Sequence, residues 1–143
     1  MKRFYKSFRL NESGISLVEV IASIVILSII ILSIFSLLTQ SSKTTRTSER
    51  IIDATYVAQT EMEELYFESI KRADPESAIL SKGYTKNTSY FEKTNTSYNF
   101  YIKLSLTKND TYPQLTRILI QVYEHKHDTH PKAQMENTLD WGQ

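Results

Sequence analysis

The sequence predicts an α+β protein: a long N-terminal helix, apolar in its first half and amphipathic in its second, laid on a small antiparallel sheet. Three observations predict it. Nearly all the strongly aliphatic sequence lies before residue 39. From Thr39 to about Arg72 there is no glycine or proline to break a helix. Beyond Gly83 the apolar spacing changes from three or four residues to two, the period of a half-buried strand.

The first element is read from its flanks. Residues 1–14 carry Lys2, Arg3, Lys6 and Arg9 against Glu12 alone, and the sequence turns apolar directly after Gly14. The run Leu17 to Leu38 is interrupted by little beyond Glu19 and scattered serines. At about 1.5 Å per residue it is long enough to cross a hydrocarbon core of about 30 Å. Serine is tolerated there because its hydroxyl can bond back to the helix's own carbonyls. A secretory signal would have a shorter apolar core followed by a small-residue cleavage site. Here the run is longer, Thr39-Gln40-Ser41-Ser42-Lys43 follows it, and the small residue, Gly14, precedes it. Cleavage after Gly14 would leave the apolar helix on the mature chain. Glu19 is costly in such a segment, by about 2.5–3.5 kcal/mol at the bilayer centre and less toward the interface. It is either a headgroup-level residue or the partner of a cation, which a free α-amine on Ile15 would supply.

The second half of the helix is expected over residues 39–74. Ile51, Ala54, Ala58, Met62, Leu65 and Tyr66 form its buried stripe, with Glu61, Glu64 and Glu68 on a solvated face. Lys71 and Arg72 suit the negative end of the helix dipole, and Asp74-Pro75 stops the helix. The two halves together make a helix of roughly 58 residues. Pro75 to Ser81 has room for one more short helical turn before Gly83.

Residues 75–143 are expected to form the sheet domain. Tyr98, Phe100, Ile102, Leu104 and Leu106 alternate with polar or aromatic neighbours, as do Ile118, Ile120 and Val122. With Lys108 to Pro113 as a turn cluster, these two strands make an antiparallel hairpin. A weaker strand is expected over Ser89 to Lys93, turning at Thr94-Asn95-Thr96, and an edge strand near Gln134 to Trp141. The tyrosines Tyr90, Tyr98, Tyr101, Tyr112 and Tyr123 are expected on or near the sheet, mostly as partly buried packing.

Composition excludes several chemistries. The 143 residues suggest one domain at most once the membrane segment is set aside, and a net charge of +1 gives no strong field that points to a nucleic-acid partner. No cysteine is present, so disulfides, thiolate metal sites and cysteine nucleophiles are excluded. His125, His127, Asp128 and His130 have metal-ligand chemistry but no HExxH motif or cysteine pair, and read as a solvated loop. Glu61, Glu63 and Glu64 read as helix surface, since no companion pocket for acid–base work can be named. Asn87, Asn95 and Asn109 begin formal glycosylation sequons that a Thr/Asn-rich chain produces by chance. No catalytic set, cofactor site or metal site is expected.

Gly14-Ile15-Ser16-Leu17-Val18-Glu19 resembles the cleavage and methylation motif of type IV prepilins and of secretion and competence pseudopilins. The resemblance implies a pilin-like fold and a filament subunit. It implies that prepilin peptidase cuts between Gly14 and Ile15, that Ile15 becomes N-methylated, and that Glu19 pairs with a neighbouring subunit's N-terminus during assembly. The chain departs from the commoner pattern with Ile15 in place of Phe or Met, Ser16 in place of Thr, and Ser36 where many pilins have a proline. Tyr56 to Leu65 resembles the corresponding helix of PilV-like and I-type minor subunits. The implied partners are prepilin peptidase, other pilin or pseudopilin subunits, cytoplasmic-membrane lipid and a pilus assembly platform. The implied divisions are a leader (1–14), a membrane and filament-core half-helix (15–38), an exported half-helix (39–74) and a sheet domain (75–143). The exported part is expected outside the membrane, then in a surface or periplasmic filament. The alternative is a monomeric single-pass protein whose ectodomain binds an envelope or extracellular ligand.

Overall fold

The computed structural model describes residues 16–112 and 114–141. Helix α1 spans Leu17–Lys71 and α2 spans Pro75–Ser81. They are followed by β1 (Thr85–Lys86), β2 (Phe91–Asn95), β3 (Phe100–Lys108), β4 (Leu115–Tyr123) and β5 (Ala133–Asp140). The strands form one antiparallel sheet in chain order, β1-β2-β3-β4-β5. The fold is the expected α+β one, a long N-terminal helix with an antiparallel sheet.

The chain divides into two compact units, one up to Lys43 and one from Thr44 onward. Within the first, the described residues are Ser16 and the part of α1 from Leu17 to Lys43. Every described side chain here is exposed. Ser23, Ser28 and Ser33 donate to the carbonyls of Glu19, Ile24 and Ile29 at 2.7, 2.7 and 2.8 Å, so the hydroxyls are satisfied within the helix. The segment is long and apolar enough to cross a membrane, by length and composition.

The second unit has its core between the later part of α1 and one face of the sheet. Ala54, Val57, Ala58, Met62 and Leu65 meet Phe100, Ile102, Leu104, Ile118, Ile120 and Val122, joined by Ala78, Ile79, Tyr84, Phe91, Leu139 and Trp141. The β3–β4 register sets Ile102 opposite Val122, Leu104 opposite Ile120 and Leu106 opposite Ile118. Their side chains therefore share the inner face, as period-two alternation requires.

Of the expected helix stripe, Ile51 and Tyr66 are exposed, while Val57, Glu61 and Ser69 are buried. The buried seam therefore runs 54, 57/58, 61/62, 65, 69, and a neighbour one residue off it is turned about 100° away.

Turns fix the remaining register. Asp74 caps α2 by accepting from the Ser77 backbone N–H at 3.0 Å, with Pro75 in the first turn. That bond holds the Asp74 carboxyl below its usual range. Gly83, at φ +83°, lets the chain leave α2 in a left-handed conformation. The weak strand forms two residues later than expected, over Phe91–Asn95, so Thr94 and Asn95 lie in the strand. Tyr98 belongs to the turn that follows, and β3 begins at Phe100. Strand β1 was not anticipated.

Candidate functional site

The site predicted from the motif lies at the start of α1. Gly14 and Ile15 fall outside the described residues; Ser16 and Glu19 are inside them. The Ser16 hydroxyl accepts from the Glu19 backbone N–H at 3.2 Å, and the Ser16 carbonyl accepts from Glu19 and Val20 at 3.0 and 3.2 Å. Ser16 is thus the N-cap of α1, satisfying a donor that the first turn leaves unpaired. The spacing Ser16-x-x-Glu19 is that of a capping box, a signal present in the sequence and passed over there. Glu19 stands in the first turn, where the positive end of the helix dipole favours an anion. Its side chain is exposed. Among the described residues nothing donates to its carboxylate, which leaves an acid at the mouth of an apolar helix open to an external cation.

The second carboxylate of note on α1 behaves oppositely. Glu61, expected on a solvated face, is only 5% exposed. Lys93 Nζ donates to its two oxygens at 2.8 and 3.0 Å, and the Tyr84 hydroxyl donates at 2.9 Å. Burial and then the Glu61 charge push the Tyr84 phenol well above its usual range, so it stays a donor. Three groups from α1, β2 and the residue preceding β1 therefore close on one another. The arrangement is a structural tie, with its acceptors already occupied. Glu63 is exposed and accepts from Gln59 at 2.8 Å, and Glu64 lies 3.5 Å from Lys82.

The other sequence-noted groups are dispersed. His125, His127 and His130 are exposed, and Asp128 accepts from the His125 backbone N–H at 2.9 Å, which makes it a turn former. Among the described residues no cluster of three or more His, Cys, Asp or Glu has the arrangement of a metal site. Tyr101 and Tyr123 are buried against each other on the outer sheet face, their centroids 6.4 Å apart, while Tyr112 is exposed. Lys103 sits 4.9 Å from the Tyr123 centroid and 5.4 Å from that of Tyr90. The Tyr101 hydroxyl and then Lys126 hydrogen-bond Glu92 and hold its carboxyl below the usual range. Directly after Tyr123, past the end of β4, Glu124 binds Lys132 at 3.0 Å and Arg50 at 3.1 Å, and both lower its pKa against partial burial. Arg50 also donates to the Tyr98 carbonyl at 3.3 Å and lies 4.4 Å from the Phe100 ring centroid, so it pins α1 to the turn before β3 and to that strand's first residue.

Comparison with known proteins bears on the N-terminal region. No curated protein and no solved structure matches the chain. Residues 9–35 match the family described as Prokaryotic N-terminal methylation motif, a segment that contains Gly14, Ile15, Ser16 and Glu19 together with most of the apolar run. Coupled to the long apolar helix and the α+β fold behind it, that match supports a type IV pilin-like or pseudopilin subunit.

Proposed function

We propose that this chain is a structural subunit, of the minor pilin or pseudopilin kind, of a type IV pilus-like filament. Prepilin peptidase cuts between Gly14 and Ile15 and the new α-amine of Ile15 is methylated. The apolar half of α1 holds the subunit in the cytoplasmic membrane with the sheet domain outside, until the assembly platform moves it into the filament. There Glu19 meets the amino terminus of a neighbouring subunit. The observation that carries this reading is the methylation motif at residues 9–35 with Glu19 placed in the first turn of a lipid-length helix. The minor assignment is supported by the likeness of Tyr56 to Leu65 to minor subunits.

The physical logic is one of charge in a dry setting. A carboxylate among packed apolar helices is expensive alone and strongly attracted to an amine beside it. The pair therefore sets the position of one subunit against the next. Glu19→Ala tests the role: incorporation into sheared filaments should fall while the amount of protein in the membrane is maintained. Unchanged incorporation would remove Glu19 from assembly. If the protein instead stays in the membrane as an uncut monomer, the single-pass ectodomain is the correct reading.

A further inference from the structure

The outer face of the sheet carries a polar row that crosses four strands. Helix α1 packs on the inner face, where Ile102, Leu104, Ile118 and Ile120 point. The register sets Glu92, Lys103, Gln121 and Gln134 opposite one another on β2, β3, β4 and β5, so all four project from the other side. Gln134 is exposed, and Lys103 and Gln121 are half-buried. Lys103 is the unusual member. Its ammonium lies 5.4, 5.8 and 4.9 Å from the ring centroids of Tyr90, Tyr101 and Tyr123. Rings attract a cation, but its three N–H groups still call for oxygen acceptors. Among the described residues none accepts from it: Glu92, its register partner, takes the Tyr101 hydroxyl and Lys126 instead. Beside it, Gln121 Oε1 accepts from the Tyr123 hydroxyl at 3.2 Å, which leaves the amide nitrogen as the donor end.

We propose that this row binds a carboxylated saccharide, with the carboxylate on Lys103 and the sugar oxygens on the amides of Gln121 and Gln134. Charge selects the ligand class. On the same face Lys126 is neutralised by Glu92 at 3.0 Å and Arg117 by Glu136 at 2.6 Å. The Lys103 ammonium therefore stands between two carboxylates, Glu92 at one end of the row and Glu136 beyond the other. Such a site takes one negative charge with wide spacing to the next. A nucleic acid carries a phosphate at every nucleotide and would set the neighbours of the bound one against those carboxylates. A neutral sugar leaves the ammonium unanswered. A carboxylate gains charge-assisted hydrogen bonds in a setting that the tyrosine rings partly shield from water. The amides add the few placed polar groups that orient a small ligand.

Calorimetric titration of the full-length chain in uncharged detergent tests this, with tetragalacturonate, maltotetraose, a thymidylate dodecamer and acetate as probes. Tetragalacturonate should bind saturably, and at least about tenfold more tightly than each of the other three. Lys103→Met should weaken it by about tenfold or more, the size of a lost charge-assisted hydrogen bond. Gln134→Glu changes an exposed position outside the ring cage and should weaken it about fivefold by like-charge repulsion. No saturable binding at millimolar tetragalacturonate overturns the proposal, and so does parent-like affinity in either variant. Equal affinity for the thymidylate would make the row a polyphosphate site, and equal affinity for acetate a general anion site; each result overturns the saccharide. The proposal does not rest on filament assembly, and its failure leaves that reading standing.

Discussion

Glu19 and Glu61 stand on the same helix and solve the same problem in opposite ways. Glu61 is enclosed, and its partners, Lys93 and Tyr84, come from the same chain. Glu19 opens an apolar segment, and among the described residues its carboxylate has no donor. The sheet-packed half of α1 finds its stability in its own chain; under the proposed function the apolar half would find it in lipid or in other subunits. A carboxylate satisfied internally is a folding device; the proposed function makes the one left open at a helix mouth an assembly device.

The largest expected effect is on the enclosed acid. Glu61→Ala leaves Lys93 facing a cavity without its counter-charge, and should cost about 3 kcal/mol in urea unfolding of detergent-solubilised protein. The paired replacement Glu61→Leu with Lys93→Met should recover most of that loss, because an apolar pair avoids the desolvation cost. A double variant as weak as the single one would show that the tie acts by packing and not by charge. Leu65→Ala, fully buried in the same seam, should cost about 2–4 kcal/mol. Neither change should affect the proposed cleavage after Gly14, since both act inside the unit that begins at Thr44.

Smaller effects sharpen the same division. Asp74→Ala removes the cap of α2 and should cost about 1 kcal/mol. Asp74, Glu92 and Glu124 all have carboxyl pKa values lowered in the fold by their hydrogen-bond partners. Their contribution is present above the ordinary value, about 3.9 for the aspartate and about 4.3 for the glutamates, and is lost as pH falls below it toward the lowered values. Unfolding midpoints measured between pH 6 and pH 3 should therefore fall on the acid side, with a shallower slope for Glu124→Gln. A slope unchanged by Glu124→Gln would detach the Arg50–Glu124–Lys132 cluster from acid stability.

What the sequence revealed follows from how local each signal is. Strands β3 and β4 were legible because each alternates aliphatic and other residues over many positions, whereas β5 was expected only as an edge strand near Gln134 to Trp141, with no alternation to fix its bounds. The membrane-length helix was legible from composition alone. Strand β2 was misplaced by two residues because its inward-facing position 93 is a lysine, which a polarity pattern reads as outward. That lysine is inward only because Glu61 lies 32 residues away in sequence and beside it in space. The same long-range pairing hid the burial of Glu61. Strand β1, two residues long, has no period to read. At the candidate site, Gly14, Ile15 and Glu19 were read as a motif, whereas the capping role of Ser16 was signalled by its spacing from Glu19 and overlooked until the hydrogen bond between them was seen.

The account turns on whether an amine is made beside Glu19. Intact mass with N-terminal sequencing of the full-length gene product, extracted from its native membrane, measures this directly. The expected result is a mature chain beginning at a methylated Ile15. A chain retaining Met1 to Gly14 would contradict the account, because Glu19 would then have no processed terminus to meet.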